Sequence, residues 1–544
     1  MSDVRLPTAD TKRRSKVPIP EQVDVAIVGA GLGGLGAAAN LAQRGHSVAL
    51  FDSHYLAGGC ATMFARGSKA ERFVFDVGFH YVGDAGPGGS FERQLKPLGI
   101  DLEFLPMDPD GFDVLLYPGI EFRTPVGLDN YRARLVEHFP EERRAIDKYL
   151  RLLTQVDQLI TRMSKAGFKM SVGLVMQILR HAPIAALHAN ATIGSYLNRI
   201  TKNPLLKAVM LGPHGDYALG PKRASLMLHC ALMLHYLKGA YYLKGGGQEI
   251  SDQLANKVEE FGGTVHLQCP VEAILTEDGR AVGVRAEPRG GEPVEVRARA
   301  VISGADIGKT FGELVPAEDV PAAYRQKVAN FEWPPGLFVT TLAAKDDISA
   351  RGFGRCNYWQ SDTTDLDALY GDLGKGGRPN VQAAYITSAT RKDPVSGHHA
   401  PAGVETLEVM TMVPSEPEIW GVSPEELQEE GYRKKPEYLE RKQRVEDDLV
   451  HRLETLFPGV GQHIVFRESS TPLSHNRYTR STAGGGYGIA CTPEQFGVNR
   501  PGPRSEVPGL YLAGASTISG HGILGSLSSG KVAAKVVGKD LDDE

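Results

Sequence analysis

Two glycine-rich stretches have the spacing to receive a phosphate. The first is Gly29-Ala30-Gly31-Leu32-Gly33-Gly34, which follows the apolar run Val25–Val28 and leads into a run of small residues. A second apolar run, 47–51, then ends in Asp52, 18 residues after Gly34. Each residue type has a chemical reason: Gly29 allows a tight turn, Gly31 lets a pyrophosphate approach the backbone, and Gly34 lets helix and strand pack closely. The N-terminus of the helix that follows offers free N–H groups to the phosphates, and Asp52 can accept both ribose hydroxyls. Strand, turn, helix, second strand and acid are in register, so a dinucleotide site is expected here. The second stretch, Ser519-Gly520-His521-Gly522-Ile523-Leu524-Gly525, repeats the G-x-G-x-x-G spelling, but only 19 residues follow it. That is too few for the further strand of a dinucleotide fold, so its glycines need another purpose.

The elements that must position these residues are legible in part. Of 544 residues, 42% are hydrophobic and 23% charged, the balance of a globular chain with a large core. A net charge of −5 gives no pull toward nucleic acid. The five cysteines (Cys60, Cys230, Cys269, Cys356 and Cys491) include no C-x-x-C, so neither a disulfide framework nor a dithiol centre is indicated. A reducing, cytoplasmic setting is expected. The first twenty residues carry KRRSK with no apolar run behind it and are expected to form a disordered polar arm rather than a secretory signal. Ile146, Leu150, Leu153, Val156 and Ile160 recur at helical spacing, as do Val445, Leu449, Leu453 and Leu456 before Pro458. FEWPPGLFVTTLAA and NVQAAYITSAT read as strands, and Glu277-Asp278-Gly279 as a hairpin turn.

One stretch departs from the average composition. Residues 158–215 contain no acidic residue, where the chain's mean would place about seven, and they contain seven basic ones. Within them MSVGLVMQILRHAPIAALHA is strongly apolar but broken by Arg180-His181 and Pro183, so a spanning helix is not expected. An interfacial helix, with basic groups beside anionic lipid, is the expectation, and a membrane surface the expected partner.

The residues after Asp52 continue as Ser53 and then Gly58-Gly59-Cys60, followed by FVFDVGFHYVG at 73–83. This layout resembles the flavoprotein superfamily of amine oxidases and phytoene desaturases, in which a second glycine pair follows the ribose-binding acid. Residues 240–287 resemble that superfamily's returning segment, with Val271 where its members hold the adenine through backbone atoms. Residues 298–306 resemble the closing strand, and 509–538 the C-terminal flavin segment. The resemblance runs from about Asp24 to Gly538. It implies one FAD, held noncovalently by Gly29, Ala30, Gly31, Gly33, Gly34, Asp52, Ser53, Gly59, Cys60, Val271, Gly514, Gly522 and Ile523. The second fingerprint then belongs to the same FAD site as the first, its helix start facing the flavin ring.

The fold implied is α/β. A discontinuous Rossmann-like FAD-binding domain of the glutathione-reductase and amine-oxidase type (21–110, 240–306 and 491–544) would carry an inserted α+β substrate domain (111–239 and 307–490). DVGFHYVGD, LMLHCALMLHYLKGAYYLKGG and TPLSHNRYTRSTAGGGYGIACTP narrow the resemblance to the retinol saturase and carotenoid isomerase branch. Phytoene desaturases typically carry Gly-Pro-Thr where Phe79-His80-Tyr81 stands, a departure that favours saturation or isomerisation over desaturation. The branch implies a long apolar polyene or lipid substrate. Flavin chemistry asks little of side chains, but saturation needs a proton at the second carbon. His80, Tyr81 and His521 are the candidates, because their segments should adjoin the flavin. His229 and His235 are expected in the core or tunnel wall, and His398-His399 in a solvated loop. No metal-ligand cluster is visible, and no segment identifies the external electron donor or acceptor. The rival readings are a phytoene-type desaturase or fatty-acid-modifying flavoenzyme and, in another class, a flavin-less lipid escort of the GDP-dissociation-inhibitor type.

Overall fold

The strand Gln22–Val28 is apolar on both faces, and Val25, Ala26 and Ile27 are wholly inaccessible. Such a strand belongs inside a parallel sheet covered on both sides. In the computed structural model, which describes residues 18–68, 71–165, 171–429 and 431–543, it pairs in parallel with Val48–Phe51 and with Val294–Ser303. Thr264–His266 extends the sheet beyond Val48–Phe51, and Leu510–Leu512 adds a parallel strand against the end of Val294–Ser303. The turn at Asp278 (φ 49°) and Gly279 (φ 74°) is left-handed at both central residues, the geometry that matches strand twist in a tight hairpin. It joins Val271–Glu277 to Arg280–Ala286, which lies antiparallel to the first half of Val294–Ser303. This first sheet thus draws strands from three distant stretches of sequence.

Its cover includes the chain's first and last long helices. Leu32–Ala42 is buried at all but one position, and it packs against Gly522–Asp543 through small residues. A Cβ added at Gly530 would stand 2.2 Å from the Gly33 carbonyl oxygen, and one at Gly33 would stand 2.7 Å from the Gly514 nitrogen. Only hydrogen at these positions permits the approach.

The second sheet runs Ile464–Ser470, Gly336–Ala344, Glu405–Val413, Ala383–Thr387, Asn357–Ser361, Asp113–Tyr117, Ile120–Thr124. Every pair is antiparallel except Asn357–Ser361 with Asp113–Tyr117. Both stretches expected as strands in this half, at 336–344 and 383–387, are members. The helix Pro436–Leu456 buries Val445, Leu449 and Leu453 with Phe338, Leu342 and Val409 of the sheet. On the other side, Arg143–Lys165 and Leu226–Leu237 pack with Leu115 and Tyr117 in a helical layer. Ile146, Leu150, Leu153 and Val156 face that core as their spacing predicts. Ile160, the fifth of the series, is 40% exposed and lines a cavity, because its neighbour Leu159 takes the core position on this turn.

The expected polar arm lies outside the described residues except for its last three positions, as do residues 166–170 of the acid-free stretch. The remainder of that apolar run forms two helices, Val172–His181 and Pro183–Leu187, broken at Pro183 as the sequence implies. Ile178, Ala182 and Ala185 face the core, whereas Met176, Leu179 and Leu187 are 63%, 55% and 79% exposed. Among the described residues, no helix is long and apolar enough to cross a membrane.

The helix contact yields a test. Gly530→Ala forces a methyl group onto the Gly33 carbonyl, and overpacking of this kind costs ~1–3 kcal/mol. Thermal unfolding should therefore shift several degrees downward, while Gly312→Ala, whose Cβ would meet nothing within 4 Å, should unfold like the parent. Equal melting of the two variants would disprove the contact.

Candidate active site

The first glycine turn is shaped around an empty-handed backbone. Gly29 has φ +96°, out of reach of most side chains, and its N–H donates to the Phe51 carbonyl at 2.7 Å. A Cβ at Gly34 would stand 1.9 Å from the Gly29 oxygen, so the helix can sit against its own turn only with glycine there. At Gly31 the situation reverses: a Cβ would meet nothing within 4 Å. The protein leaves space beside Gly31 that a pyrophosphate can enter, next to the free N–H groups of the helix start.

The carboxylate of Asp52 accepts from the Ala30 N–H (2.6 Å) and, through its other oxygen, from the His54 N–H (2.7 Å). A carboxylate has about four acceptor sites, so hydroxyls can still bind. Ser53 stands between the two on the same bend. The second glycine pair folds back onto the first turn: the Gly58 N–H donates to the Ala30 carbonyl at 2.7 Å, and a Cβ at Gly59 would lie 3.2 Å from Gly31 Cα. Cys60 follows, its thiol pKa raised by burial and its backbone packed on Gly78. On the far side the Cys269 N–H donates to the Asp52 carbonyl at 2.8 Å, and Val271 begins the hairpin two residues on. These residues could hold an FAD adenosine and pyrophosphate.

The C-terminal glycines come back against the first turn, Gly514 packing on Gly33. Gly514 (φ +97°) donates its N–H to Ser529 Oγ at 2.7 Å. Gly520 and Gly522 also have positive φ, at +83° and +76°, and Gly522 and Ile523 open the last helix. Between them the His521 ring has both nitrogens engaged. Its Nε2 is 2.8 Å from the Asp216 carbonyl, and Nδ1 is 3.4 Å from Cys491 Sγ. Since a carbonyl only accepts, Nε2 carries the hydrogen. Burial opposes ionisation of Cys491, but the Arg500 guanidinium at 3.3 Å and His521 bring its thiol below the usual pKa.

From this helix start a cavity of ≈ 660 Å³ runs outward. His80, Tyr81, Tyr487 and residues 519–525 line its inner end, and Ile160, Met163 and Val498 are among the residues toward its rim. Trp359, Tyr385, Met410 and Met412 supply much of its apolar wall. The structure therefore brings His80, Tyr81 and His521 to one cavity.

His80 is held neutral: burial, then the nearby Lys392 charge, lowers its pKa to about 3. A neutral imidazole is a weak acid, and its Nδ1 stands 3.7 Å from Glu408. Tyr81 stacks on Tyr236 at 4.2 Å, and its hydroxyl reaches Asp113 (3.1 Å) and Asp216 (3.2 Å). His229 is a core residue between the Tyr149 and Tyr217 hydroxyls, and His235 lines the cavity while accepting from the Gly83 N–H. The expectation of a solvated His398-His399 loop fails at His399, which is 1% exposed and lies 3.5 Å from buried Asp393. That pairing draws the loop inward, and no local pattern announces it.

Sequence reasoning also missed Asp113, Asp216, Tyr236 and Lys392. Lys392 is buried, donates to the His80 carbonyl and Thr387, and lies over the Tyr242 ring at 4.6 Å. A charged residue inside a strand run, such as Asp113 in DVLLY, was the one available signal.

Comparison with known proteins supplies the class. Residues 32–538 match the family described as flavin containing amine oxidoreductase, and the chain belongs to that family. It is an FAD-dependent enzyme. It is 28% identical to an all-trans-retinol 13,14-reductase of Danio rerio over 95% of this chain and 86% of that protein. It is 26% identical to a chloroplastic prolycopene isomerase of an Oncidium hybrid, over 97% and 86%. In fold it is similar to the cyclohexylamine oxidase of Brevibacterium oxydans, with TM-score 0.60 at 18% identity, over 96% of this chain and 100% of that one.

Because the protein leaves the space at Gly31 open, Gly31→Val should fold and melt normally yet purify colourless. A yellow variant with full flavin absorbance would place the pyrophosphate elsewhere.

Proposed function

We propose that this enzyme acts on carbon–carbon double bonds of a long apolar polyene, retinoid or carotenoid in kind, saturating or isomerising them, and that it meets its substrate at a membrane surface. FAD is held by the Gly29–Gly34 turn, Asp52, Ser53, the Gly59–Cys60 turn, Val271, Gly514, Gly522 and Ile523. The observation that carries the reading is the cavity. Aromatic, aliphatic and thioether side chains make up most of its wall, and its lining takes in both the start of the last helix and the exposed Ile160 and Val498. An extended hydrocarbon fits such a wall by apolar contact alone. The names of two of the relatives, a retinol reductase and a prolycopene isomerase, point to the same substrate class.

When bound, FAD supplies two-electron chemistry at the ring. The chain's own residues confine and orient the chain of double bonds. His521, both nitrogens tied to protein, serves as wall, with its ring 5.1 Å from that of Tyr487. His80 serves as a second, neutral wall residue.

The membrane part rests on the rim. Ile160 and Met163 belong to the helix that packs against Val172–His181, whose Met176 and Leu179 point to solvent beside exposed Arg180. An exposed apolar patch flanked by cations suits an anionic lipid surface.

Two measurements test the reading. Dithionite-reduced protein, kept anaerobic, should consume all-trans-retinol or a carotenoid with loss or shift of the polyene absorption band, and should leave unsaturated fatty acids untouched. Turnover confined to fatty acids or amines would overturn the substrate class. Separately, the protein should sediment with phosphatidylserine vesicles, less so at high salt. Met176→Asp with Leu179→Asp should cut that binding at least tenfold, since each apolar side chain contributes ~1.5–3 kcal/mol on burial. Vesicle binding that ignores both changes would free the patch from this role.

A further inference from the structure

Asp113 and Asp216 come from different layers and meet at one hydroxyl. Asp113 begins a strand of the second sheet, and Asp216 ends the short helical turn His214–Asp216. Tyr81 Oη lies 3.1 Å from Asp113 Oδ2 and 3.2 Å from Asp216 Oδ2. A phenol has one proton to donate, so it makes only one full hydrogen bond to a carboxylate. Both contacts are fully paired when one of them runs the other way, from a protonated carboxyl to the Tyr81 oxygen.

The surrounding donors say which. Asp216 Oδ2 also accepts from the Tyr236 hydroxyl at 2.8 Å, which suits an ionised carboxylate. Asp113 takes the Asn357 amide on its Oδ1 at 3.0 Å, leaving Oδ2 to carry the proton. Burial raises both groups, Asp113 to about 7 and Asp216 to about 6, with the Asp216 charge adding to the shift at Asp113. The stacked Tyr236 ring holds Tyr81 in place, 3° from parallel.

Three acidic residues line the cavity, and they differ in partner. Asp157 pairs with Lys238 at 2.7 Å, and Asp84 lies 3.6 Å from Arg93. Asp216 bonds tyrosine hydroxyls instead of a cation, and its carbonyl fixes His521 at the start of the last helix. Asp113 is not among the residues lining this cavity.

We propose that Asp113 and Asp216 share one proton through Tyr81, and that Asp216 delivers it to the substrate in the saturation of a double bond. The inference rests on the polyene chemistry proposed above. One π bond breaks and two C–H bonds form: one carbon takes a hydride, for which reduced FAD is the two-electron donor, and its neighbour takes the Asp216 proton. Asp216 is replenished by the Tyr81 hydroxyl, Tyr81 by Asp113, and Asp113 by solvent. Asp216 is then a catalytic residue, and Asp113 a positioning residue that acts through Tyr81.

Infrared spectra of the FAD-loaded protein at neutral pH test the shared proton without any turnover. The wild-type-minus-Asp113→Asn difference spectrum should show a protonated carboxyl stretch that shifts in D2O, the contribution of buried Glu408 cancelling because both proteins carry it. A difference spectrum without that stretch overturns the sharing. With reduced protein and all-trans-retinol, Asp216→Asn should lower product formation ~10²–10⁴-fold at unchanged flavin content. Asp113→Asn should lower kcat and leave KM unchanged. Near-normal product from Asp216→Asn overturns the donor role. If Asp216→Asn loses FAD, Tyr81→Phe takes its place: it cuts the relay, so product formation at the parent's rate overturns the proposal. A wild type that ignores retinol but shows the band refutes the substrate reading alone, and the proton-sharing pair stands.

Discussion

The contact of the first helix with the last, across hydrogens at Gly33 and Gly530, is the constraint on which the rest depends. Backbones that approach this closely cannot accept even a methyl group between them. It joins segments nearly 500 residues apart and sets the last helix against the first. Gly514 packs on Gly33 in the same place, so the first glycine turn and the segment before the last helix form one unit from opposite ends of the chain. Loop closure over such a span costs entropy only slowly with length, and the buried apolar residues of both helices offset it.

Behind His80 the interior holds a cluster of buried ionisable groups. Asp76 accepts from the Tyr242 hydroxyl and the Gly247 N–H, and Glu408 accepts from the Asp76 N–H. Burial pushes Glu408 up and Lys392 down, while their mutual attraction opposes both shifts. Removing one member of such a buried set leaves the other charge unpaired, which typically costs ~3–5 kcal/mol. The set ties the strand Arg72–Asp76, and hence His80 and Tyr81 just beyond it, to the second sheet.

The cavity follows from how these layers meet. The second sheet supplies Trp359, Tyr385 and Met410, the helical layer supplies Ile160 and Met163, and the first sheet's last helix closes the inner end. No single element could form it. Beside Ile160 and Met163 of the helix Arg143–Lys165, the apolar helix Val172–His181 packs with Met176 and Leu179 outward.

The nucleotide turn was legible in the sequence because its physics is local. Gly29 needs a positive φ, Gly34 must let a helix touch its own turn, and Asp52 must close on Ala30, all within two dozen residues. The helices at 143–165 and 436–456 and the hairpin at Asp278-Gly279 were legible for the same reason: periodicity and turn chemistry act over a few residues. Only the tertiary structure decided which distant polar groups share a proton or a charge. Asp113, Tyr81, Asp216 and Tyr236 carry no common spacing, and His399 reads as a loop residue until Asp393 folds beneath it. Such groups find their partners through packing of separate layers, and burial, which sets their protonation, is a property of the assembled fold.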